Sequence, residues 1–119
     1  MDENEQGSLT ISRSVVGSNH VLVPKESLTY ENHTELKSAG EELVSQGVFA
    51  IILDCKSVTY LDSAALETLL DIHEDLQTKG GNLKIIGLNE ICQDILMATR
   101  LTNHLIVYND IQEAVKSDL

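Results

Sequence analysis

Every position from Val48 to Leu53 is apolar, and the run is bounded by Gly47 and Asp54. A strand buried on both faces reads this way, which is the pattern of a parallel sheet with helices packed on it. Around that run the pattern changes period. Leu9, Ile11 and Arg13 alternate with Thr10 and Ser12, then Val15-Val16 lead to a Gly17-Ser18-Asn19 turn, and His20 to Val23 follow before Pro24, the one proline. This predicts an antiparallel hairpin. Thr34 is placed to cap a helix running to about Gln46, with Leu36, Ala39, Leu43 and Val44 inside and Gly47 ending it. After the central strand, Val58, Tyr60 and Leu61 are predicted to anchor the crossing beneath the next helix. That helix, from Ser63 to Lys79, shows the clearest three- and four-residue spacing, at Leu66, Leu69, Leu70, His73 and Leu76. Gly80-Gly81 closes it, and Leu83 to Ile86 reads as a further buried strand turned by Gly87. Asn89 caps a helix to about Thr99 with Ile91, Ile95, Leu96 and Ala98 apolar, Leu105 to Tyr108 forms a last strand, and Asp110 caps a closing helix through Ile111, Ala114 and Val115.

The order β-β-α-β-α-β-α-β-α implies an α/β fold. The expected sheet is mixed and mostly parallel, of four to five strands, with an N-terminal antiparallel hairpin and about four helices. Residues 1–7 are polar and read as a flexible tail, leaving 8–119 as one domain.

Composition narrows what such a domain does. The formal net charge of -11 repels phosphate backbones and anionic lipid, which argues against nucleic-acid and membrane-surface binding and favours a basic protein partner. The N-terminus is acidic with no apolar segment behind it, and no run is long enough to span a bilayer, so a cytoplasmic location is expected. Cys55 and Cys92 match no metal or thioredoxin spacing and read as small buried hydrophobes.

No catalytic constellation survives inspection. A serine nucleophile needs a base and an oxyanion hole, and Leu61 and Ala65 stand where a nucleophile elbow around Ser63 requires glycines. His73-Glu74 begins like a zinc-protease helix, but Gln77 occupies the second ligand position; His73 reads instead as a satisfied, partly buried histidine. Gly80-Gly81 follows a helix and precedes a strand, the reverse of a nucleotide-binding loop. Asp54 and Asp62 are candidates for a cation site at strand ends, or simply a strand terminator and a helix cap. No metal, cofactor or enzymatic activity is expected. What remains is Asp62-Ser63 at a helix start. Either residue can serve as a cap; equally, a hydroxyl there is open to a kinase, and a phosphate gains from the helix dipole while adding about -1.5 to -2 charges to its surroundings.

Ile51-Ile52-Leu53-Asp54 followed by Val58-Thr59-Tyr60-Leu61-Asp62-Ser63-Ala64-Ala65-Leu66 resembles the core signature of STAS domains, the anti-sigma factor antagonists of bacteria. Gly80 to Leu88, Ile95 to Leu101 and Val107 to Ala114 resemble the family's later elements, so the resemblance covers nearly all of the chain after residue 8. It implies a partner switch. The unphosphorylated protein binds an anti-sigma factor that is also a serine kinase of the histidine-kinase ATPase fold, phosphorylation of the motif serine releases it, and a metal-dependent serine phosphatase resets it. Carried over, Ser63 is the phosphorylation site, and Asp62, Ser63, Ala64, Ala65 and Leu66 form the partner-binding surface, in a monomer or weak homodimer that is not itself an enzyme. Ala65 stands where the family pattern has glycine, and Lys25 to Tyr30 lacks its Gly-x-Leu-Asp element. Other relatives serve as scaffold subunits of stressosome-like assemblies or as accessory subunits of transporters, which is the alternative role.

Overall fold

The computed structural model describes residues 9–117; the tail expected over 1–7 lies outside them. The elements are β1 (Ile11–Val16), β2 (Asn19–Pro24), α1 (His33–Ser45), β3 (Ala50–Asp54), α2 (Ser63–Gln77), β4 (Asn82–Ile86), α3 (Glu90–Ala98), a 3-10 turn (Leu101–Asn103), β5 (Ile106–Tyr108) and α4 (Ile111–Lys116). One five-stranded sheet runs β1-β2-β3-β4-β5. β1 and β2 form the antiparallel hairpin, and β2-β3, β3-β4 and β4-β5 are parallel. The expected mixed sheet, hairpin and four helices are all present.

Each parallel crossover moves one strand further in the same direction. With crossovers of one hand, this topology sets α1, α2 and α3 on the same face. Their inner residues Leu36, Leu43, Leu69, Leu76, Cys92 and Leu96 share one core with Leu22, Ile51, Leu53, Leu83 and Ile85 from that face of the sheet. The alternate residues Val21, Val23, Ile52 and Ile86 point the other way and pack on α4 through Ala114, Ile111 and Val115. This two-sided burial is why β3 is apolar throughout. Lys84 lies on the α4 side, buried, with its ammonium donating to the Ala114 carbonyl at 2.9 Å.

Several local expectations need correction. The strand begins at Ala50 rather than Val48, because Phe49 is half exposed and its carbonyl accepts from Asn82 N–H instead of continuing into the core. Asn32, not Thr34, occupies the N-cap position of α1. Its side chain does not cap the helix: Oδ1 accepts from Thr29 N–H and Nδ2 donates to the Ser27 carbonyl, so it ties the preceding loop. Tyr60 is not an anchor; it is 50% exposed, whereas Val58 and Leu61 are buried as expected. Ile91 and Ala98 of α3 face solvent, and Cys92 and Leu96 supply the buried contacts of that helix. The 3-10 turn between α3 and β5 was not anticipated.

His73 is buried, and its Nδ1 accepts a long hydrogen bond from Leu83 N–H at 3.4 Å. That bond requires the neutral ring. Burial holds the imidazole below its ordinary value, with Glu74 opposing and His104 reinforcing the shift. Between the lowered folded value and the unfolded value of about 6.5, the unfolded chain binds more protons, so stability rises with pH there. The contribution is complete above about 6.5 and drains as pH falls below it. The urea midpoint is therefore expected to drop between pH 7 and pH 5, and His73→Gln should flatten that drop; an unchanged drop in the variant would remove His73 as its source.

Candidate functional site

Asp62 sits in extended backbone just before α2, and its Oδ1 accepts from Ala65 N–H at 3.0 Å. Of the two residues able to cap this helix, Asp62 is the N-cap and Ser63 is the first helical residue. The second oxygen of Asp62 has a separate use: Oδ2 accepts from Tyr30 N–H at 2.8 Å. One carboxylate thus fastens both the helix and a loop more than thirty residues earlier.

That loop is joined to the approach to α2 by a short parallel pairing. Leu28 N–H donates to the Tyr60 carbonyl at 3.2 Å, Asp62 N–H donates to the Leu28 carbonyl at 3.3 Å, and Leu28 bridges Leu61. Ser27 Oγ accepts from Thr59 N–H and Tyr60 N–H at 3.2 and 3.1 Å, and shares a hydrogen bond with Thr59 Oγ1 at 2.8 Å. From the third side, Asn89 Nδ2 donates to the Thr59 carbonyl at 3.2 Å, while its Oδ1 caps α3 through Cys92 N–H at 2.7 Å. Three segments, 27–32, 59–62 and 88–89, therefore form one hydrogen-bonded platform at the C-terminal ends of the parallel strands. Ser27 and Asn89 are site residues that sequence reasoning missed. The available signal was the density of Ser, Thr and Asn side chains in those loops, which favour bonds to backbone over helix or strand.

Ser63 opens α2 above this platform, and its side chain is exposed. α-Helical geometry leaves the first-turn N–H groups of Ser63 and Ala64 without intrahelical acceptors. A phosphoryl group on the Ser63 hydroxyl lies beside those donors and beside the Asp62 carboxylate. Of the five residues assigned to partner contact, Ser63 is exposed, and Asp62 and Ala64 are half-buried. Ala65 is fully buried and Leu66 nearly so; both side chains belong to the core, and Ala65 serves the site through its N–H. The accessible surface near Ser63 is completed instead by Tyr60 and Tyr30, both at least half exposed and tied to the approach to α2.

Other candidates resolve into structure. Asp54 accepts from both the N–H and the ammonium of Lys56, so neither it nor Asp62 has a carboxylate left uncommitted. Among the described residues no group of three or more His, Cys, Asp or Glu is placed to hold a metal. Cys55 and Cys92 are free and buried; burial, then Cys92 and Asp54, push the Cys55 thiol upward, and burial alone raises Cys92. Both thiols are thus poor nucleophiles. Among the described residues no helix is long and apolar enough to cross a membrane.

The family model of the STAS domain matches residues 11–114. A candidate anti-sigma factor antagonist from Thermotoga maritima is 28% identical over 97 residues, 81% of this chain and 86% of that protein. The crystal structure of a candidate anti-sigma factor antagonist from the same organism superposes with a TM-score of 0.86 at 25% identity, covering 90% of this chain and 92% of that one. The anti-sigma factor antagonist SpoIIAA in its unphosphorylated form superposes with a TM-score of 0.71 at 12% identity over 93% of this chain and 96% of that one, a likeness of fold.

Proposed function

The chain belongs to the STAS domain family, and from that membership we propose that it is an anti-sigma factor antagonist switched by phosphorylation at Ser63. The observation that carries the reading is the exposed Ser63 hydroxyl at the first position of α2, held on a platform that fixes its approach. In the unphosphorylated state the neutral surface formed by Ser63, Ala64 and Tyr60 docks an anti-sigma factor that is itself a serine kinase of the histidine-kinase ATPase fold, which leaves the sigma factor free. Transfer of a phosphoryl group to Ser63 places a dianion beside Asp62, and the contact then requires desolvating two adjacent like charges. The partner dissociates. A metal-dependent serine phosphatase restores the hydroxyl. The chain contributes no catalytic group to either step; it supplies an acceptor and a surface.

The test is phosphosite mapping by mass spectrometry after incubation with the purified kinase and ATP, together with calorimetric binding of two variants. Phosphate is expected on Ser63 alone. Ser63→Asp is expected to weaken binding by about tenfold or more, and Ser63→Ala to bind like the wild type. Equal binding by the two variants, or phosphate on another residue, would sink the switch.

A further inference from the structure

β1 ends the sheet on one side. Lys25 N–H donates to the Thr10 carbonyl at 2.9 Å, and the register then runs without a slip from Ile11 opposite Pro24 to Val16 opposite Asn19. In an antiparallel pair, bonded and non-bonded residue pairs alternate. Counted from Thr10, Ser12, Ser14 and Val16 exchange bonds with β2, and Ile11, Arg13 and Val15 stand in the non-bonded pairs. Pro24, which has no N–H to give, lies opposite Ile11 and fits this count. The backbone N–H and C=O groups of Ile11, Arg13 and Val15 therefore point away from β2, along an edge that no other strand covers among the described residues. Open edges are ordinarily blunted by proline, lysine, a bulge or sheer shortness. The opposite edge, β5, has only 3 residues. β1 has 6, Ile-Ser-Arg-Ser-Val-Val, with no proline, lysine or bulge, and Val15 on it is 59% exposed.

Charge says what this edge can meet. The chain has a formal net charge of -11, and its helices expose Glu41, Glu67, Glu74, Asp75 and Asp94. Residues 9–25 contain no Asp or Glu, and the one charge on β1, Arg13, is paired with Glu42 at 2.9 Å. A second copy is repelled by the helical face and least repelled at this edge. We infer that two copies of the chain join here, β1 to β1 and antiparallel, so that their sheets become one continuous sheet about a two-fold axis. The outward groups at alternate positions restrict the register. Centring on Arg13 sets two guanidinium groups face to face, which is unfavourable. Centring on Ser12 carries Val15 past the end of the strand, and centring on Val15 runs Arg13 into the Gly17-Ser18 turn. Centring on Ser14 pairs Arg13 with Val15 of the second copy. Each such pair exchanges both of its backbone hydrogen bonds, and Val15 lies along the apolar stem of the arginine. Ser14 then faces its own copy on the axis. The inference stands apart from the switch, since no residue of the Ser63 platform belongs to β1.

Sedimentation equilibrium of the full chain over a wide range of concentrations is expected to show a monomer–dimer equilibrium. Val15→Pro removes one outward N–H from each copy and leaves the bonds to β2 in place, so it should weaken the dimer by about tenfold or more. Val15→Lys sets an ammonium opposite Arg13 of the second copy and should weaken it to a similar degree without touching the backbone. Val15 is exposed, so the urea midpoint of Val15→Lys should match the wild type and exclude misfolding as the cause. The register is read by cross-linking with oxidised glutathione. Ser14→Cys should close into a disulfide between copies, because the Cα atoms of a non-bonded antiparallel pair lie about 4.5 Å apart. Ser12→Cys should not, and the wild type, whose Cys55 and Cys92 are buried, is the control. A wild type that stays monomeric at every concentration overturns the inference and leaves the edge to a strand of another protein. So does a dimer indifferent to both Val15 variants, or cross-linking at Ser12 in place of Ser14.

Discussion

Gly81→Ala is expected to cost about 3 kcal/mol of folding stability, whereas Gly80→Ala, one residue earlier, should cost only about 1 kcal/mol. The two glycines close the same helix for different reasons. Gly80 has φ +82° with nothing within 4 Å of a built Cβ, so alanine there meets only the left-handed backbone penalty. Gly81 has no such backbone requirement, but a Cβ on it would fall on the Phe49 carbonyl, with the Phe49 Cβ at 3.0 Å behind it. That carbonyl accepts from Asn82 N–H at 3.1 Å, at the point where Ala50 of β3 comes into register with Asn82 of β4. Relief requires moving the start of one central strand away from the other, because backbone cannot rotate aside as a side chain would. Domains of this kind have about 5–15 kcal/mol of stability in total, so the loss is a large share. Urea unfolding of both variants measures it; a Gly81→Ala midpoint no lower than that of Gly80→Ala would show that the strands yield at little cost.

That contrast also shows what the chain discloses without coordinates. Gly80-Gly81 reads as a helix stop from local rules, because C-terminal glycine is a local feature. The close approach of Phe49 to Gly81 depends on the β3-β4 register, which no local pattern encodes. The same division holds elsewhere. Asp62, Asn89 and Asp110 cap the helices assigned to them, since a cap is decided within four residues. Thr34 loses that position to Asn32 because Asn32 is recruited by Ser27 and Thr29, a loop contact invisible to helical period. Periodicity places Ile91 and Ala98 among the apolar positions of α3, yet it cannot say whether anything covers that face, and among the described residues nothing does. At the site, Asp62 and Ser63 were legible as a helix start. The platform under them was not, because it joins segments far apart in sequence through Ser27, Asn89 and the second oxygen of Asp62.

Asp62 is where those two levels meet, and its substitution should separate them. Asp62→Ala removes the cap on Ala65 N–H and the tie to Tyr30 N–H together, and is expected to cost about 2–3 kcal/mol, about 1 from the cap and the rest from the charged hydrogen bond and the helix dipole. Asp62→Ser keeps a capping oxygen but cannot also reach Tyr30, so it should recover only the cap, about 1 kcal/mol of the loss. Asp62→Asn has a single acceptor oxygen and turns its amide toward one of the two N–H donors, so it should fall between wild type and alanine. The signature is local as well as global: hydrogen exchange at the Tyr30 amide should accelerate in the serine variant while the first turn of α2 stays protected. A loop released in this way widens the approach to Ser63 and loosens Tyr30 and Tyr60 beside it. Asp62→Ser is therefore expected to accept phosphate from the kinase more slowly even though it retains the hydroxyl and the cap. Wild-type protection at Tyr30 in Asp62→Ser would mean that the second oxygen holds nothing, and that the geometry around Ser63 comes from the Leu28–Leu61 pairing alone.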